Sequence, residues 1–479
     1  MPTQTIPGRF GPLAVTTVGL TVVLLYALEA VIGPALPELQ RALELLPSEG
    51  ALLMAAKGQA AAVATAIMGP LGDRYGPRRT LVLLLGTVVI GGAISATAAS
   101  FPMLLAGQIL EGLGIGAIPL VFALTRQHTT PDRMKVLVGM IGGAVVAGGV
   151  VGNLLAGPIA GAWGWRWIFG VPALAVAAII PVIVGVLPAA APRTRSGIRL
   201  NWGSALVLSA ALIALTYWIS SLADWPVLLV LGGAAVVVVL ALLWIRVERR
   251  GRGSLVDLRL LAIRGMRGTT LAAVAVSTGV GITSFLVPQM LAAPAASGIG
   301  FDASTTQIGQ YLLPGTLAAV AAGPLAGWCL RRWGPRLVIV YSSLLLVASS
   351  LIVLVLHDAV WQIIAAQVLA NFATNGAITA LYGSTIALAP ASSTGTATGM
   401  IGVLRIIGMS AGAQVAALIL TFGLVSATHS PSEHAFMLIL LVGAVISAFP
   451  LVFARLLPRQ DATPPTSTGA AKDSGAPAR

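Results

Sequence analysis

Fourteen apolar stretches, each close to the length of a membrane-crossing helix, follow one another along this chain. They lie near 13–36, 50–71, 80–99, 102–124, 137–159, 166–187, 202–221, 226–246, 269–291, 307–330, 337–356, 360–384, 398–422 and 435–456. About 30 Å of hydrocarbon takes about 20 apolar residues of helix to cross. Charged residues make up only 9% of the chain and hydrophobic ones 57%, so a water-soluble domain of this composition lacks the polar groups to cover its surface. The expected fold is all-α and integral to a membrane. The short alternating segments of a β-barrel are missing.

The chain also repeats itself. Gly69, Arg74, Gly76, Pro77 and Arg78 recur as Gly327, Arg332, Gly334, Pro335 and Arg336, at an offset of 258. Gly139-Met140-Ile141-Gly142 with Gly148 and Gly152 recurs as Gly399-Met400-Ile401-Gly402 with Gly408 and Gly412, at 260, and Gln108-x-Leu110 recurs as Gln367-x-Leu369. Spans 1–6 and 9–14 are therefore related six-helix halves, and spans 7 and 8 are inserted between them. An even number of spans per half gives both the same orientation, with a pseudo-axis along the membrane normal. The expected division is 1–190, an insert over 191–268, 269–457, and a tail over 458–479. The tail is rich in Pro, Ser, Thr, Ala and Gly and is expected to be disordered. In span 5, glycines at 139, 142, 143, 148, 149, 152 and 157 have the spacing that lets helices approach closely.

A net charge of +13 raises nucleic acid as a partner, but the basic residues are segregated rather than set among aromatics on a soluble domain. Of the 28 lysines and arginines, only Arg41 and Arg166 fall in the loops opposite the termini, and Lys57 and Arg405 lie within spans. All the others lie on the side of the termini. By the positive-inside rule that side is the cytoplasm, so the chain is expected to be multi-pass in the cell membrane with both ends cytoplasmic. The cluster from Arg246 to Arg267 then faces anionic headgroups. The first apolar stretch is too long for a signal peptide and carries Tyr26 and Glu29 where such a segment is apolar, so it is read as a retained span 1. The lone Cys329 and the four scattered histidines have no metal-ligand or catalytic spacing, so neither an enzyme nor a cofactor is expected.

The segment Gly69-Pro-Leu-Gly-Asp73-Arg74-Tyr-Gly76-Pro-Arg78-Arg79, between spans 2 and 3, resembles the loop signature of the major facilitator superfamily. In it Gly76-Pro77 makes a tight reversal, and Asp73 is a lone acid among Arg74, Arg78 and Arg79 that can hold the loop against a helix end. Gly69, Asp73, Arg74, Gly76 and Arg78 are the candidate conformational gate. The fourteen spans resemble that family's drug:proton antiporter branch, as do Trp165-Arg-Trp-Ile-Phe169, Ala35-Leu-Pro37, Tyr311-Leu-Leu-Pro314, and Arg405 with Gly408 and Gly412. The chain departs from the family's motifs at Gln108, where an Arg is usual, and at Gly152-Asn153, where Gly-Pro is usual. The resemblance implies two six-helix bundles that alternate access to a central cavity, and proton-driven export of hydrophobic or cationic small molecules. Such a protein works with its substrate, protons and the bilayer, and a monomer is expected.

Ionisable groups inside spans cost about 2.5–3.5 kcal/mol each at a helix centre, so they are functional candidates. Glu29, Lys57, Glu111 and Arg405 are the four. Counting about 1.5 Å per residue from the outer face puts Glu29, Lys57 and Glu111 at one depth, where Lys57 is expected to bridge the two carboxylates and one of them to exchange a proton. The same cluster also reads as a permanent ion pair that fixes packing. Arg405 counts to a different level, near the inner mouth. Tyr26, Gln108, Asn153, Gln310, Tyr311, Gln367, Asn371 and Asn375 are candidates to line the cavity, with Gln108 and Gln367 matched across the pseudo-axis. Rival readings are a carrier of an anionic or lipid-like metabolite, held by Lys57 and Arg405, and a non-transporting membrane sensor.

Overall fold

The computed structural model describes residues 11–129, 131–188, 202–222, 225–250, 263–295, 299–389, 394–423 and 432–457. The tail over 458–479 and most of the basic loop between spans 8 and 9 lie outside them. Span 1 forms two helices, α1 (Pro12–Ala30) and α2 (Ile32–Ala42), rather than one over 13–36. Pro34 has no N–H to offer the carbonyl of Ala30, so the ladder lapses near Val31 and the second piece runs on to Ala42. Prolines open α3 (Pro47–Tyr75), α4 (Pro77–Ala96) and α5 (Phe101–Gly112), in the first turn where a missing donor costs nothing. A single tighter turn, Leu113–Gly116, joins α5 to α6 (Ala117–His128) within span 4. α7 (Pro131–Trp163) and α8 (Trp167–Val186) are spans 5 and 6.

The insert is a hairpin of α9 (Trp202–Ser220) and α10 (Val227–Arg250). The later spans are α11 (Arg264–Ala292), α12 (Thr305–Val355), α13 (Val360–Leu388), α14 (Thr394–Phe422) and α15 (Glu433–Val452). α12 contains spans 10 and 11, broken at Gly334 with φ 77°. Eleven described helices, α12 among them, are long and apolar enough to cross a membrane. The second span of α12, the charge-bearing α3 and α9, whose apolar core is Leu206–Ile219, complete the fourteen.

The repeat is visible in the backbone. Gly76 (φ 90°) and Gly334 (φ 77°) both adopt a conformation that side chains disfavour, and each precedes a proline that starts the next helix. The glycine pairs match as well. A Cβ on Gly148 or Gly152 would stand 2.6 or 2.3 Å from the carbonyl oxygens of Val23 and Ala27 on α1. On Gly408 or Gly412 it would stand 2.7 or 2.0 Å from those of Val274 and Thr278 on α11. α7 of one half and α14 of the other thus meet α1 and α11, the first helix of each half, backbone to backbone.

The halves close on each other at the end opposite the termini. Leu36 and Ala51 share a core there with Ile282, Phe285, Leu286 and Met290 of the second half. Gln289 donates to Gln40, and Thr305 donates to Glu38 at 2.5 Å. Between α7 and α12, a Cβ on Gly157 would lie 2.1 Å from the backbone of Thr306, and one on Gly309 2.1 Å from that of Asn153. Nearer the termini, Gly142 and Gly143 of α7 and Gly323 and Gly327 of α12 meet nothing within 4 Å. The two halves therefore touch at the end opposite the termini, while these four glycines meet no neighbour. The α9–α10 hairpin sits on the α3 and α14 side, where Leu208 and Leu212 pack on Val403 and Gln59 donates to the carbonyl of Leu212 at 3.3 Å.

Candidate functional site

Close helix contact brings the three charges of the first half together. Gly112, the residue after Glu111, lets α5 ride on α3: a Cβ there would lie 2.3 Å from the carbonyl oxygen of Lys57. Gly91 and Gly107 bring α4 against α5 in the same way. Lys57 Nζ then stands 3.3 Å from Glu111 Oε2 and 4.0 Å from Glu29 Oε2, and donates to the Leu28 carbonyl at 2.9 Å.

The two carboxylates differ in access. The Glu111 side chain is 0% exposed and Lys57 2%, whereas that of Glu29 is 37% exposed, with its Oε2 buried against Lys57 and accepting no hydrogen bond. Glu111 is thus locked to Lys57, with Ser95 and Gln108 alongside, while Glu29 sits at the edge of the pair.

Gln108, Gln367 and Arg405 each have surroundings that spacing alone does not give. Gln108 does not line a cavity: it is wholly buried and donates to Ser95 Oγ at 2.9 Å across the α4–α5 contact. Its counterpart Gln367 is only half-buried, so the two are not matched in their surroundings. Arg405 meets a side chain of α13. Its helix, α14, begins at Thr394, several residues earlier than the hydropathy implies. Its Nη1 donates to the Tyr382 hydroxyl at 3.4 Å, its guanidinium carbon lies 5.8 Å from that ring, and Nε is buried without an acceptor. The Tyr26 hydroxyl lies within electrostatic reach of Glu29 on its own half and of Tyr382 and Arg405 on the other.

Asn153 donates to Thr316 at 3.3 Å, across the α7–α12 seam. Asn371 and Asn375 each donate to the backbone carbonyl four residues earlier, and both are half-buried. Gln310 is exposed, and Tyr311 packs against the core of the closed end. In the gate loop, the Arg78 guanidinium donates to the Val184 carbonyl in the last turn of α8, and Arg74 stacks over Tyr75 at 5.3 Å. Gly76 makes the predicted reversal. The side chain of Asp73 and the surroundings of Gly69 lie outside the described residues. Ser95 and Gly112, which position Glu111, escaped the sequence reading, although a glycine directly after a buried acid was a usable signal. Among the described residues no cluster of metal-ligating side chains forms.

The family model for the Major Facilitator Superfamily matches residues 18–199 and 173–413. The chain belongs to this superfamily. The Multidrug resistance protein B homolog of Mycobacterium tuberculosis is 29% identical over 314 residues, which are 61% of this chain and 54% of that protein. The probable actinorhodin transporter of Streptomyces coelicolor is 28% identical over 393 residues, 78% of this chain and 65% of that one. This chain thus spans between half and two thirds of the length of these relatives. Among solved structures, a peptide transporter POT in complex with sulfate superposes with a TM-score of 0.69 at 15% identity, covering 94% of this chain and 98% of that one. That likeness shows the fold: the all-α, major facilitator arrangement expected from the spans. In this member of the superfamily the two motif departures have structural employment, Gln108 within the α4–α5 contact and Asn153 in the seam between halves.

Proposed function

We propose that this protein exports hydrophobic or cationic small molecules in exchange for protons, by alternating access. The arrangement that carries this reading is Lys57 between a sealed carboxylate and an accessible one. Glu111 holds Lys57 in place, and Glu29 is where a proton and a substrate cation compete. Competition for one site makes the two exclude each other, and mutual exclusion is what an exchanger needs.

The names of the relatives support the substrate class, since one is a multidrug resistance protein homolog and another a probable actinorhodin transporter. The positive-inside distribution supports cytoplasmic termini, and with the halves closed on each other at the opposite end the state is read as inward-facing. The protein is read as a component of the cell membrane.

The test uses everted vesicles with a cationic dye and a pH probe. Glu29→Gln is expected to abolish substrate-induced proton release while leaving dye binding detectable. Glu111→Gln is expected to lower the amount of folded protein, because it strands the Lys57 ammonium. Proton release that persists undiminished in folded Glu29→Gln protein overturns the assignment of Glu29.

A further inference from the structure

We propose that Arg405 reads an acidic group on the substrate, so that the molecule carried is amphoteric: a basic group for Glu29, an acidic group for Arg405, and an apolar frame between. This rests on the exporter reading and narrows its substrate class.

The two cations inside spans differ in their company. Lys57 has a carbonyl at 2.9 Å and two carboxylates at 3.3 and 4.0 Å. Its charge is answered within its own half. Arg405 has no carboxylate within 4.0 Å among the described residues, one long hydrogen bond to a phenol, and a buried Nε with no acceptor. A guanidinium stays charged at any physiological pH and offers five N–H donors in a planar fork suited to a carboxylate. Most of that fork is unused here.

Charge balance points the same way. Glu29 stands at the edge of the Lys57–Glu111 pair, and Arg405 on the other half carries a positive charge. Tyr26 lies within reach of both Glu29 and Arg405. A simple cation bound at Glu29 leaves Arg405 unanswered and repelled. A simple anion at Arg405 does the same to Glu29. A zwitterion answers both poles and adds no net charge, while its ammonium still competes with the proton at Glu29, so exchange is preserved. The Tyr382 ring lies 5.8 Å from the Arg405 guanidinium carbon and suits a planar apolar frame.

Matched pairs of probes separate the terms: a zwitterionic fluoroquinolone carrying a free carboxylate and a basic amine, and its methyl ester, which keeps the amine alone. In energised everted vesicles the unmodified protein is expected to show a KM roughly tenfold or more lower for the acid than for the ester, the worth of one charge-assisted contact. Arg405→Gln is expected to raise the KM of the acid to that of the ester and leave the ester unchanged. Equal KM values for the pair in the unmodified protein, or an equal shift of both in Arg405→Gln, overturn the proposal while leaving export intact. Transport of neither compound by folded protein overturns the exporter reading and this inference with it. The acid and ester comparison needs no variant, so poor folding of Arg405→Gln does not shelter the claim.

Discussion

Lys57 and Arg405 are both cations inside membrane spans, yet the two halves treat them in opposite ways. The first half closes three helices around Lys57 until its charge is matched by carboxylates. The second leaves Arg405 resting on one tyrosine. The duplicated scaffold is nonetheless the same, down to the glycine contacts of α7 with α1 and of α14 with α11. Duplication thus preserved the packing seams and let the charged interior diverge. Packing a seam needs only small residues at fixed spacing, whereas the interior answers to the cargo.

The largest test of this contrast removes each cation in turn. Lys57→Met strands the buried Glu111 carboxylate and is expected to cost about 3–5 kcal/mol, the penalty for breaking a buried pair. Arg405→Met strands no carboxylate and is expected to cost far less. Thermal unfolding in detergent, followed by fluorescence-detected size exclusion, compares the two directly, and equal losses would erase the distinction.

Next come the seams. Gly152→Ala and Gly412→Ala each push a methyl group into the backbone of a neighbouring helix, and a loss of about 1–3 kcal/mol is expected from both. Gly142→Ala, which meets open space, serves as the near-neutral control. A seam substitution that is tolerated in one half alone would show that the halves pack differently after all. Of similar or smaller size is the pair at the loop reversals: Gly76→Ala and Gly334→Ala each put a side chain at positive φ, for roughly 1–2 kcal/mol. The same melting assay reads these, and the two losses are expected to agree because the backbone angles do.

The boundaries of most spans were legible because hydropathy and first-turn prolines are local signals. α2 was not, since the break at Val31 depends on how Pro34 acts within an otherwise apolar run. The meeting of Glu29, Lys57 and Glu111 was legible by counting residues from the outer face, because helical rise is constant. Counting missed the start of α14: its polar first turns, Thr394 to Thr398, carry no apolar signal. It also failed for Gln108, because rise gives depth and not direction, and a buried amide facing Ser95 has the same depth as one facing a cavity.

Sequence alone determined the number of crossings, the duplication, the reversals at Gly76 and Gly334, and which charges share a level. Each of these follows from composition, spacing or backbone freedom, all of which act within a few residues. Only the tertiary structure decided that Glu111 is sealed while Glu29 is open, that Lys57 is answered while Arg405 is not, and which end of the bundle is closed. Those outcomes depend on the rotation of one helix against another, and rotation is set by close packing between residues far apart in the chain.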